Sequence, residues 1–144
     1  MAGGKGATFE SSLLSLIFNA TPIANLADNA ASSPITNIYA SLHTSSPGAS
    51  GNQTTNEAAY TSYARVAVAR TSGGWTITGN SVSPNAAITW PTATGGSETE
   101  TYVGIGKSST GSGILYYFGP LSSSIVVTNG VVPSVTAGST ITES

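Results

Sequence analysis

Apolar residues in this chain recur mostly at every second position, in short runs separated by turn residues, and that spacing predicts strands. Asn37 to His43 sets Ile38, Ala40 and Leu42 on one face and Asn37, Tyr39, Ser41 and His43 on the other. A second strand, centred on Ala64, Val66 and Val68, has the same half-buried character, as expected of an antiparallel sheet. Thr44 to Ser62 connects them and holds Pro47, Gly48, Gly51 and Asn52. It exceeds the roughly 12–15 residues beyond which a structureless loop in a compact domain becomes uncommon and is usually functional.

Beyond Arg70 the same rhythm continues. Trp75 to Thr78 follows Gly73-Gly74 and turns at Gly79-Asn80; Ala86 to Trp90 stops at Pro91. Glu98 to Lys107 sets Val103 and Ile105 together, and shorter strands are expected over Ile114 to Phe118, Ser124 to Thr128 and Ser139 to Glu143. About eight strands at roughly 8–14-residue spacing predict an all-β fold, a jelly-roll-like β-sandwich. One segment has helical period instead: Phe9, Leu13, Leu16 and Ile17 form a stripe, with Thr8 placed to cap the helix and Pro22 to end it. This helix either plugs an open end of the sandwich or docks on a partner chain. Residues 1–7, with three glycines, read as a flexible arm, and residues 8–144 as a single β-sandwich domain. Ile23 to Pro34 is a linker of small residues.

Composition narrows the function classes. Charged residues make up 7% of the chain, against about 25% in an average soluble domain. Ser, Thr, Asn and Gly take their place, and a surface so weakly charged offers little resistance to association, as suits an assembly subunit. The net charge is −2, and Lys5, Arg65, Arg70 and Lys107 are scattered, so nucleic acid is not an expected partner. No apolar run approaches the ~18 residues of a membrane span. The run Leu13 to Phe18 is interrupted by Ser15 and too short for a signal-peptide core, so no export signal is expected. Cysteine is absent, which excludes disulfides and thiol chemistry.

Catalytic chemistry finds little support. His43 stands beside Thr44, Ser45 and Ser46, with Asp28 as a conceivable third member, yet no serine lies in a Gly-x-Ser-x-Gly setting. His43 therefore reads as a strand-end residue. Glu98 and Glu100 share a strand face about 7 Å apart, but glycosidase pairs normally flank a cleft from separate elements, so these read as solvated charges that discourage edge pairing. No acidic or histidine spacing predicts a metal site, and no cofactor is expected. Gly3-Gly4-Lys5-Gly6 lacks the Ser or Thr and the upstream glycine of a phosphate loop. Asn19-Ala20-Thr21 and Asn52-Gln53-Thr54 match glycosylation acceptors, as Asn- and Thr-rich chains often do by chance. Trp75 and Trp90 follow the apolar parity of their strands and read as core, whereas Tyr39, Tyr60 and Tyr63 are better placed for a partner.

The stretch Ile-Tyr-Ala-Ser-Leu-His-Thr at residues 38–44, with Tyr-Thr-Ser-Tyr-Ala-Arg-Val at 60–66 and Gly-Trp-Thr-Ile-Thr-Gly-Asn at 74–80, resembles a family of small tailed-bacteriophage virion proteins. Its members are often labelled tail-fibre-like, and some are capsid cement or decoration proteins with a jelly-roll-like fold. The resemblance brings no catalytic residues. It implies a non-enzymatic subunit that bridges capsomers on the outer surface of the capsid, with the major capsid protein and further copies of itself, as dimer or trimer, for partners. The expected interface comprises Lys5 in the arm, Leu13 and Leu16 on the helix, Tyr39, and Pro47, Asn52, Glu57, Tyr60 and Tyr63 in and around the long loop. A receptor- or carbohydrate-binding tail protein is the rival reading.

Overall fold

The computed structural model describes residues 5–23, 27 and 34–143. It is an all-β fold with one short N-terminal helix, in keeping with the sandwich class. The elements are α1 (Ala7–Asn19), β1 (Asn37–His43), β2 (Val66–Ala69), β3 (Trp75–Thr78), β4 (Ser81–Pro84), β5 (Ile88–Thr89), β6 (Glu98–Gly106), β7 (Leu115–Val127), β8 (Ser134–Val135) and β9 (Ile141–Thr142). They pack as two compact units.

The first unit comprises Met1–Thr36, Ala69–Ala87 and Thr136–Ser144. Its sheet has the order β3-β4-β9, with Trp75 opposite Pro84 and Val82 opposite Ile141. The helix covers this sheet with a different stripe from the expected one. Glu10, Leu14 and Phe18 are the buried positions, Leu13 and Leu16 are half-buried, and Phe9 is exposed. The pull is aromatic: Phe18 meets Trp75 edge-on, with ring centroids 4.7 Å apart. Helix entry also differs, since Gly6 occupies the N-cap and Thr8 lies inside the first turn. At the other end Ala20 adopts the left-handed conformation, and the Thr21 N–H donates to Ser15 O at 3.0 Å. Arg70 secures the same end, donating through Nε to Ile17 O at 2.6 Å and through Nη2 to Leu16 O. The expected arm overlaps the described residues only at Lys5, Gly6 and Ala7; Lys5 forms an ion pair with Glu143, and Ala7 already belongs to the helix.

The second unit comprises Asn37–Val68 and Ile88–Val135. Its main sheet has the order β2-β1-β6-β7, and β5 pairs with β8. β1 and β6 run antiparallel with Ala40 opposite Ile105 and Leu42 opposite Val103. The two strands expected at 114–118 and 124–128 are one strand, β7, which continues through Pro120. Proline is tolerated there because β7 is an outer strand of the sheet, where a missing N–H costs no ladder bond. The register shifts between Glu100 and Tyr102, where Glu100 faces Ile125 but Tyr102 faces Pro120. Trp90, Ile38, Leu42, Ile105 and Val127 are buried, as their strand parity predicts for Trp90 and Ile38.

Candidate functional site

The long loop is not a free projection. It folds back over the polar face of β1, so that Ser41 and His43 are as buried as Leu42, each fully enclosed. Alternation alone predicts a half-buried strand; the last residues of β1 are covered on both faces because the loop supplies the second cover. Thr44 N donates to Asn56 O and Ala58 N to Leu42 O, which carries the backbone of the loop along the strand end.

Four side-chain groupings pin it. The first is Gln53, fully buried over β6. Its Nε2 donates to Ser108 O at 3.2 Å, its Oε1 accepts from Ser108 N at 2.8 Å, and its own backbone N–H donates to Gly113 O at 3.0 Å. Two glycines make room for it. A Cβ at Gly106 would stand 2.2 Å from Gln53 Cδ, and one at Gly113 would stand 2.2 Å from Gln53 Oε1. Neither glycine needs its conformational freedom here; each is small so that an amide side chain can lie flat against the sheet.

The second grouping contains His43. Nδ1 lies 2.9 Å from Thr55 O, and since a carbonyl only accepts, Nδ1 carries the hydrogen. Nε2 then accepts from the Ser41 hydroxyl at 2.9 Å. Burial holds His43 below the ordinary imidazole range, an effect that the Thr55 carbonyl and Glu57 oppose and Arg65 reinforces. Serine, histidine and an orienting acceptor thus stand in the relative positions of a hydrolytic dyad. Both side chains are fully enclosed, with a Cβ at Gly104 reaching 2.7 Å from Nε2, so the arrangement offers a substrate no approach.

The third is built on Glu57. Arg65 donates to it twice, Tyr63 Oη donates to Glu57 Oε1 at 3.0 Å, and Tyr63 Oη in turn accepts from Leu42 N at 3.1 Å. Two further guanidinium hydrogens go to Ser108 O at 2.9 Å and Gly111 O at 2.8 Å, tying the turn before β7 to the loop. Burial first, and the Glu57 charge second, push the Tyr63 hydroxyl well above the usual phenol range.

The fourth lies at the loop's far end. Glu98 Oε1 accepts from Ala59 N at 2.8 Å and Tyr60 N at 2.7 Å. Glu100 beside it is fully buried, and neither of its oxygens receives a hydrogen bond. Desolvation, then the neighbouring Glu98, raise Glu100 to about 8, so that at neutral pH it is an acid able to donate its own hydrogen to Glu98. The reading of this pair as solvated charges is therefore corrected. The two do follow one another in unbroken register with β7, but the loop residues Ala59 and Tyr60 cap Glu98, and Glu100 is enclosed.

These contacts account for most of the residues expected at an interface. Tyr60 is 3% exposed, with its hydroxyl donating to Pro91 O and raised to about 12 by burial and then by the two glutamates. Pro47 is buried, Glu57 and Tyr63 are engaged as above, and Asn52 Oδ1 accepts from both the N–H and the hydroxyl of Thr54. Tyr39, Leu13 and Leu16 are half-buried, and Lys5 is exposed beside its Glu143 partner. Asp28 lies outside the described residues.

The exposed large apolar side chains are elsewhere. Ile114, Phe118 and Val126 stand on or next to β7 at 60%, 40% and 62% exposure, and Val132 follows at 50%. β7 carries no charged residue from end to end. Its sequence showed alternating apolar residues, but not that one set would face outward on the outermost strand. No metal-binding group of three or more candidate ligands occurs among the described residues.

No curated protein matches the chain. The family model described as podophage GP4 fiber I protein gp80 matches residues 14–143, from the middle of α1 to just past β9. That span contains both the pinned loop and the exposed β7, and the chain belongs to this podophage GP4 fiber I protein gp80 family, a family of phage virion proteins.

Proposed function

We propose that the protein is a non-enzymatic structural subunit of a phage fibre, acting through protein–protein contact along β7. The observation that carries this reading is the outer strand itself, long, uncharged and lined with exposed Ile114, Phe118 and Val126. An outer strand of this kind is a template for pairing with another chain unless charge or cover blunts it. The family's fibre description supports the same reading. The enclosure of His43 and Ser41 supports a structural role over a hydrolytic one.

The second reading is capsid cement, with the major capsid protein and sister copies as partners, favoured by the sequence resemblance centred on residues 38–66. Location and copy number separate the two. A cryo-EM map of the virion with antibody labelling is expected to find this chain in a tail-associated appendage at low copy number. Hundreds of copies across the shell would overturn the fibre reading in favour of cement.

A further inference from the structure

We propose that Glu98 and Glu100 form a proton-held latch, which keeps Ala59 and Tyr60 fastened to β6 while the pair shares a hydrogen and loosens them when that hydrogen is lost. The geometry is specific to this corner of the second unit. Glu98 stands opposite Val127 and Glu100 opposite Ile125 in the register of β6 and β7, so β7 offers neither carboxyl a charged or hydrogen-bonding side chain at its paired position. Glu98 spends one oxygen on two consecutive backbone N–H groups of the loop. Glu100 is fully enclosed and receives no hydrogen bond, a costly state for a carboxylate and an acceptable one for a carboxylic acid.

Among the described residues no cation acts on Glu100 to take over from the proton. β7 and the segment from Asn85 to Ser97 carry no charged side chain. The titratable neighbours are Glu98 and Tyr60; farther along the loop Arg65 is committed to Glu57, Ser108 and Gly111. When the hydrogen leaves, two carboxylates face one another beside apolar residues, and the chain relieves this by admitting water. The contact that yields most readily is the clasp on Ala59 and Tyr60, because Ala59 is already at the surface. Neighbouring backbone bonds, Ala58 N to Leu42 O and Thr61 N to Gly95 O, confine the opening to this segment.

The test follows the side-chain carboxyl of Glu100 by carbon NMR from pH 5 to 10 in the full chain, together with amide exchange at Ala59 and Tyr60. Glu100 is expected to titrate near pH 8. Across that titration the protection of the two amides, corrected for base catalysis, should fall about tenfold or more in the wild type and stay level in Glu100→Gln. Titration in the ordinary carboxylate range, or an equal fall in Glu100→Gln, overturns the latch. Should that variant not fold, Glu98→Gln serves instead: it keeps an acceptor for the two N–H groups, removes the neighbouring charge and should lower the Glu100 midpoint. An unchanged midpoint overturns the pairing. A midpoint that drops when millimolar calcium or magnesium is added identifies a cation site and likewise overturns a latch held by a proton.

Discussion

Arg65 grips Glu57 through two parallel hydrogen bonds, Nε to Oε1 at 2.6 Å and Nη2 to Oε2 at 2.7 Å, with only 2% of the arginine side chain and 14% of the glutamate exposed. Arg65→Met leaves the carboxylate without its partner and is expected to cost ~3–5 kcal/mol. Arg65→Lys keeps the charge but loses the fork and the contacts to Ser108 and Gly111, for ~1–3 kcal/mol. Adding Glu57→Gln to Arg65→Met should recover part of the loss. Urea midpoints at constant slope measure all three.

Gly106 and Gln53 are a matched pair of a different kind, in which one residue is small so that the other can be buried. Gly106→Ala is expected to expel the Gln53 side chain, destabilise by ~1–3 kcal/mol and raise exchange at the Gln53 and Ser108 amides. Combined with Gln53→Ala, the same change should cost less than the sum of the two single changes. Strict additivity in a double-mutant cycle would show that the alanine is accommodated without disturbing the loop.

Stability should fall as pH rises from about 6.5 to 8, and below 6.5 two groups act in opposite directions and largely offset one another. Glu100 is raised from 4.5 to about 8, so between those values the folded chain keeps a proton that the unfolded chain has released. Stability from this group is full below pH ~4.5, falls by at most ~1.4 kcal/mol per pH unit as pH rises, and levels off above about 8. His43 is lowered from 6.5, so the unfolded chain takes up a proton first on acidification, and its contribution is lost as pH falls below that value. Above pH ~6.5 only Glu100 acts. Urea unfolding from pH 5 to 9 should show a decline between pH 6.5 and 8 that Glu100→Gln abolishes, uncovering in that variant an acid-side loss below pH 6.5 that adding His43→Gln removes. A wild-type profile that is flat from pH 6.5 to 8 would contradict the Glu100 part.

The fibre reading predicts a separation of folding from assembly on β7. Val126→Lys should change stability by no more than ~0.5 kcal/mol, and Phe118→Lys, which gives up the covered part of the ring, should cost ~1–2 kcal/mol and leave the domain folded. Each should nevertheless reduce incorporation of the protein into virions, and the double change should do so further. Quantitative mass spectrometry of purified particles measures this, with circular dichroism melts as the control. Normal incorporation of the folded double variant would remove β7 from the contact surface.

What the sequence determined by itself is what depends on short-range periodicity. The period of two in Asn37 to His43, Trp75 to Thr78 and Glu98 to Lys107 is set by the pleat, and those segments are strands with Ile38, Ala40, Trp75 and Ile105 inside. The turn glycines and the absence of helix-forming charge left the all-β class as the consistent outcome. Tertiary structure decided whatever depends on residues distant in the chain. Gln53 found its place only because the turn between β6 and β7 brings Gly106 and Gly113 together beneath it. The helix settled on the stripe of Leu14 and Phe18, where Phe18 meets Trp75. Glu100 became a buried acid beside Glu98, which holds the Ala59 and Tyr60 N–H groups of a segment far back in the chain, and local alternation carries no record of which distant segment covers a face. For the same reason, nothing in the loop's length and polarity foretold that Gln53, Thr55, Glu57 and Tyr60 fasten it to its own unit, or that β7 is left with apolar side chains at the surface.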